Sequence, residues 1–269
     1  MEPISLLVLL VMGTLAGAIN AAVGSGSLLT LPVLLALGVP PGTAIRTNTI
    51  GILFSTIGSV TGYRREIAAQ RHELGPLVVV VTVMAAVGSV LLLLSPSDAL
   101  DVVVPVLIVL ALLMVVFQKR VTRAIRERSE RRRAARGEQG EELTQGSALR
   151  RPGLLTAMGA ASIYGGYFTA AQGILYLGVM GAITGRSMKD LNAVKNLASL
   201  MVNAAAATVY LIAHLVWGVE ILWIATAAIA VGALLGGYFG AHLAKRLPES
   251  AMRGLIVVVA LVALVRQVM

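Results

Sequence analysis

The hydrophobic positions of this chain fall in long stretches. They cover roughly residues 3–22, 25–38, 43–62, 75–95 and 99–118, and then 153–172, 174–185, 191–213, 219–243 and 253–268. Short charged knots separate them, and residues 3–45, 75–97 and 153–185 contain no charged side chain at all. A membrane-spanning helix needs about 20 apolar residues, so most of these stretches predict transmembrane helices. Period-two alternation is absent, which argues against a β-barrel. The second stretch of each set is short and predicts either a tilted crossing or a re-entrant hairpin. The first stretch lacks a basic flank and continues past the length of a signal sequence, so it reads as a membrane segment rather than a cleavable signal peptide.

Composition sharpens this reading. Hydrophobic residues make up 57% of the chain and charged residues 13%, with a mean hydropathy of +0.86. Soluble domains carry about 25% charge, and too little polar surface remains here to cover a soluble core of this size. With no cysteine, disulfides, thiolate metal sites and cysteine nucleophiles are excluded. The histidines His72, His214 and His242 show no metal-ligand spacing.

The net charge of +9 is concentrated, because half of the basic residues lie between Lys119 and Arg151. No aromatic residues are interleaved there to stack on bases, so nucleic acid is not an expected partner. Basic loops mark the cytoplasmic side of a membrane protein. With five crossings in each half, loops 63–74, 119–151, 182–190 and 244–253 all face the cytoplasm and hold nineteen of the twenty-two Lys and Arg residues. With four, several of these residues move outside. The pattern therefore predicts five plus five segments with both termini outside.

The basic loop divides two related halves. Gly17–Gly24 reads G-A-I-N-A-A-V-G and Gly166–Gly173 reads G-Y-F-T-A-A-Q-G. A-I-R-T-N ends at Asn48 and A-V-K-N ends at Asn196, in nearly the same register. S-P-S-D-A-L at Ser95–Leu100 matches L-P-E-S-A-M at Leu247–Met252. The expected plan is a first membrane repeat over 1–118, a cytoplasmic basic loop over 119–151 and a second membrane repeat over 152–269. The fold class is an all-α polytopic membrane protein of two inverted repeats, each opening with a broken or re-entrant segment.

The breaks carry the candidate chemistry. Asn20, Gly24, Ser25, Gly26 and Ser27 interrupt the first apolar run, and Thr169, Gln172 and Gly173 the second. Irregular backbone at membrane depth survives only where it is buried or lines a cavity. Paired interruptions in two halves point to a transporter site, and free N–H groups at a half-helix start attract anions. The following helix brings Arg46, Thr47 and Asn48 in one half and Lys195 and Asn196 in the other. Ser55 and Asn203 lie seven residues further on and on the same face. The two cations are expected to act at longer range, near opposite mouths of the pathway. No apolar stretch holds an acidic residue suited to a proton or sodium relay.

These motifs resemble the opening of the sulfite exporter TauE/SafE family. The residues that carry the likeness are G-A-I-N-A-A-V-G-S-G-S-L-L-T-L-P-V-L-L-A-L-G-V-P, then T-A-I-R-T-N, with G-G-Y-F-T-A-A-Q-G and the K-N helix in the second half. The resemblance implies a transporter of sulfite, sulfoacetate or related anions in the cytoplasmic membrane. Family members often carry a glycine run where this chain has Gly24-Ser25-Gly26, whereas the second half has Gly173-Ile174-Leu175. That second break is therefore expected to be less open. An anion channel would use the same residues. An enzyme is not expected, since HExxH, GxSxG, paired intramembrane carboxylates and a Walker motif are all missing, and no cofactor is implied. The expected partners are a small anion and the lipid bilayer, with the coupling ion and a homodimer left open.

Overall fold

The computed structural model describes residues 2–22, 24–136, 148–184, 186, 188–243, 254 and 256–262. The described residues form α-helices joined by short connections. In chain order these are α1 (Pro3–Ala22), α2 (Ser27–Ala36), α3 (Pro41–Gly62), α4 (Arg64–Ala69), α5 (Arg71–Leu94) and α6 (Ser97–Arg136). They continue with α7 (Pro152–Phe168), α8 (Gln172–Thr184), α9 (Met188–Trp217) and α10 (Trp223–Leu243). Residues 256–262 are also helical.

Most predicted stretches become one helix each. Those at 3–22, 43–62 and 75–95 match α1, α3 and α5 closely, because proline or a polar turn ends each run. Helix α1, helix α5, residues Ser97–Gln118 of α6 and most of α9 are long and apolar enough to cross a membrane. Helix α3 is also long, at 22 residues. At about 1.5 Å per residue, the ten residues of α2 and thirteen of α8 reach only about 15 and 20 Å. Neither spans a hydrocarbon layer of about 30 Å unaided. Beyond Gln118, α6 runs on to Arg136 as part of a 40-residue helix. The helical part of the basic loop is thus continuous with the preceding membrane helix. Residues 137–147 and the match at Leu247–Met252 lie outside the described residues.

The helices turn large apolar side chains outward and bury a set of polar ones within a largely apolar core. Val79, Val83, Val87, Val102, Val106 and Leu113 are all well exposed on α5 and α6, while Asn20, Ser25, Thr47, Asn48, Ser55, Lys195, Asn196 and Asn203 are buried. A bilayer explains this arrangement, because lipid solvates apolar side chains and forces polar groups inward.

The helices pack across the basic loop as well as within each side of it. Helix α1 packs on α10, and α7 packs on α5, so the opening helix of each half lies against the third long helix of the other. Helix α10 also contacts α3, α5 also contacts α9, and α3 meets α9 centrally. The two halves are therefore interleaved. Small residues allow these close crossings: a Cβ on Gly236 would lie 1.9 Å from the Thr14 carbonyl oxygen, and one on Gly166 would lie 2.0 Å from that of Ala85.

Candidate functional site: the crossing of two helix breaks

Each break has its own local cause. In the first half α1 stops at Ala22, and Gly24 takes φ +84°, a left-handed conformation that only glycine adopts freely. In the second half Thr169 and Ala171 both take φ 59°. Such values are uncommon in non-glycine residues and are held by the surrounding structure. Two bonds do so here: the Tyr164 hydroxyl donates to the Ala170 carbonyl at 2.8 Å, and Tyr210 donates to the Gly166 carbonyl at 2.8 Å.

The two breaks meet. The N–H of Gly173 donates to the carbonyl of Gly24 at 3.2 Å. A Cβ on Gly24 would lie 2.7 Å from the Gly173 Cα, and one on Gly173 would lie 2.6 Å from the Gly24 Cα. These are the closing glycines of the two copies of the repeated motif, so the same motif position touches itself. Any two-fold axis relating the halves must pass close to this contact.

The helices after the breaks reach across to the opposite half. On α3, the Thr49 hydroxyl lies 3.5 Å from that of Thr169. On α9, the Lys195 ammonium donates to the Asn20 carbonyl at 3.3 Å. Asn20 in turn donates from its amide to Ser55 at 3.1 Å. Thr30 of α2 donates to the Asn48 Oδ1 at 2.5 Å, which leaves the Asn48 Nδ2 as a directed donor.

Several buried polar atoms of the breaks and of α3 and α9 have no protein partner: Ser25 Oγ, Asn48 Nδ2, Gln172 Oε1, Asn196 Nδ2 and Asn203 Oδ1. Buried polar groups are ordinarily satisfied, and leaving one unpaired costs about 1–3 kcal/mol. Asn48 and Asn196 end matched motifs, so the same unused amide donor occurs once in each half. Among the described residues, no backbone carbonyl accepts from the N–H of Ser25 or Gly26 at the start of α2. Gly26 and Ser27 are buried beside them.

The two cations part company. Lys195 is fully buried at the crossing rather than near a mouth. Among the described residues no carboxylate lies within ion-pairing distance of it. Arg46 is half-buried and donates from Nε to the Glu220 carbonyl at 3.0 Å and from Nη2 to Thr43 at 3.1 Å. Helical register explains the difference. Lys195 directly precedes Asn196, whereas Arg46 stands two residues before Asn48, so its side chain leaves the helix about 100° further round. Thr47 occupies the register of Lys195 and accepts from the N–H of Leu222 at 3.1 Å.

Sequence reasoning passed over Asn192 and Ser199, whose Oδ1 and Oγ are also buried and unpartnered. A signal existed. Asn192, Asn196, Ser199 and Asn203 follow 4-3-4 spacing, one polar stripe along α9. Thr30 and Thr49 were missed because lone threonines in apolar runs carry little information.

Among the described residues, no group of histidine, cysteine and carboxylate side chains is suited to hold a metal ion. What the crossing offers is one buried ammonium, amide and hydroxyl donors, and a half-helix start.

Comparison with known proteins agrees in kind. The chain is 24% identical over 261 residues, 97% of its length and 88% of the relative's, to a protein of Escherichia coli strain K12 described as "Probable membrane transporter protein YfcA". It is 29% identical over 101 residues, 38% of its length and 39% of the relative's, to "Probable membrane transporter protein ORF9" of a Sinorhizobium species. No solved structure matches. The family described as "Sulfite exporter TauE/SafE" matches residues 9–266. The chain therefore belongs to the sulfite exporter TauE/SafE family, and is an integral membrane transporter rather than an enzyme.

Proposed function

We propose that this transporter is a secondary carrier that exports a small anion, sulfite or an organosulfonate, across the cytoplasmic membrane. It works by alternating access of two inverted halves, with the anion held at the crossing of the breaks. The observation that carries this reading is the chemistry of the buried site. Lys195 supplies a positive charge with no carboxylate beside it among the described residues, and Asn48 and Asn196 supply unused amide donors. A buried cation at membrane depth is costly and functional by default, and an anionic cargo is its natural counter-charge. The family description favours sulfur oxyanions among such cargoes.

The inverted relation is supported by the clustering of basic residues in loops 63–74, 119–151, 182–190 and 244–253. With inverted halves, the axis lies in the membrane plane, so the Gly24–Gly173 contact sits at mid-depth. The burial of Asn48 and Lys195 from solvent suits an occluded carrier state better than an open pore.

Purified protein in proteoliposomes, offered sulfite, methanesulfonate, sulfate and chloride, tests the proposal. Saturable sulfite or sulfonate flux that anion on the far side accelerates is the expected result. Non-saturating flux would make the protein a channel, and preference for chloride over every sulfur anion would overturn the substrate assignment.

A further inference from the structure

The transport reading leaves open what accompanies the anion, and the surroundings of Lys195 bear on that question. Its ammonium makes one hydrogen bond, to a neutral carbonyl. Every other ionisable group on the elements packed around it is remote or engaged elsewhere. Helices α1 and α2 carry none. On α3, Arg46 is bound at Glu220. Arg71, His72 and Glu73 stand at the very start of α5, and Glu73 pairs with Arg186. Short α4 carries Arg64, Arg65 and Glu66, none of them buried.

The tyrosines are similarly occupied. Tyr164 of α7 is bonded to Ala170, Tyr167 to Ser95, Tyr176 of α8 to Ser162, and Tyr210 of α9 to Gly166. On α9 itself, Lys189 and Asp190 open the helix and His214 closes it against Val219. Asp190 is five residues from Lys195 and about 140° round the helix. Among the described residues, Lys195 is thus the ionisable group that the crossing itself contains.

A lone ammonium at this depth cannot cheaply cross the membrane without a counter-charge. The loaded site, with an anion against the ammonium, is neutral for a monovalent cargo. An emptied site must either take another anion or lose the charge. Lysine, unlike arginine, can exist as a neutral amine. From this arrangement we infer that Lys195 is the coupling site of the carrier: it takes a proton together with the anion and gives it to water on the side of release. The ammonium N–H bond breaks, water takes the proton, and the neutral amine returns for the next cycle. One proton then travels with each monovalent anion, and net transport is electroneutral. This rests on the transport reading above.

The test uses full-length protein in proteoliposomes with methanesulfonate, which carries no titrating proton of its own. Labelled anion and an internal pH dye are followed together, with and without a membrane potential set by potassium and valinomycin. The expected wild-type result is equal movement of protons and anion, at a rate that ignores the potential. Anion flux that tracks the potential without proton movement would overturn the inference while leaving the transport reading intact. If neither methanesulfonate nor sulfite moves under any gradient, the transport reading falls and the coupling falls with it. Lys195→Arg, which cannot release its proton, should keep anion-for-anion exchange and lose net efflux. A wild-type net rate in folded Lys195→Arg would also refute the assignment. Lys195→Gln provides a second variant should arginine fail to fold, and any residual anion flux through it should move no protons.

Discussion

Placing a methyl group between the two breaks tests the architecture at its narrowest point. In Gly173→Ala the new Cβ would stand 2.6 Å from the Gly24 Cα and 2.8 Å from its carbonyl oxygen. Carbon atoms in contact prefer about 3.5–4.0 Å, so the backbones must separate by about 1 Å and weaken the Gly173–Gly24 hydrogen bond. Overpacking of this kind costs about 1–3 kcal/mol. Gly24→Ala meets the same obstruction from the other side, at 2.7 Å, and also forces an L-residue to φ +84°. The left-handed conformation adds about 1–2 kcal/mol, giving about 2–5 kcal/mol in all.

Gly38 supplies the control, since it has φ +80° with nothing within 4 Å of its would-be Cβ. Gly38→Ala therefore reports the backbone contribution alone. Thermal melting of purified protein in detergent, with folded yield by size exclusion, should rank the loss Gly24→Ala above both Gly173→Ala and Gly38→Ala. The Gly24→Ala, Gly173→Ala double variant should lose less than the sum, because the first methyl has already parted the two backbones. A Gly173→Ala protein with wild-type melting would refute the contact. Strict additivity would show that the two glycines do not share it.

Further predictions follow from other parts of the fold. Arg186 pairs with Glu73 and donates to Gln70 at 2.7 Å, tying the start of α9 to the start of α5. Arg186→Gln should lower the melting temperature modestly, by about 2 °C for a loss of about 1 kcal/mol, and should change the rate of anion exchange more than the half-saturating concentration; an unchanged rate would mean that the tie does not move in transport. A cysteine at Ser187, in a chain with no native cysteine, should resist an impermeant external thiol reagent in intact cells, and rapid labelling would defeat the five-plus-five topology. Deleting residues 137–146 should leave folded yield and flux near wild type, because polar linkers tolerate change; loss of folded protein would show that this part of the loop packs on the helices.

Much of the fold was legible because a bilayer writes itself into sequence as runs of apolar residues with charged ends. The helix breaks were legible for a related reason. Glycine beside Asn, Ser or Gln inside an apolar run is hard to reconcile with an uninterrupted, lipid-facing helix. The meeting of Gly24 with Gly173 was not legible, since it depends on how α1 crosses α10 and α7 crosses α5. Sequence alone did not show that Lys195 would be fully buried. Both cations stand near a polar motif, and one residue of register decides which is buried at the crossing and which is held at Glu220. Helix α3 was legible as a helix but not as a carrier of so much buried polarity. Its Thr47, Asn48, Thr49, Ser55, Thr56 and Ser59 find burial only through the neighbours that surround them.

The central claim is that Asn48 and Asn196 donate to one anion at the crossing. The most direct measurement is the half-saturating sulfite concentration of Asn48→Ala and of Asn196→Ala in proteoliposomes, at matched folded yield. One lost charge-assisted hydrogen bond is worth about 1.5–3 kcal/mol, so each variant should require about ten- to a hundredfold more sulfite. Wild-type values in both variants would contradict the account and leave these amides as helix packing.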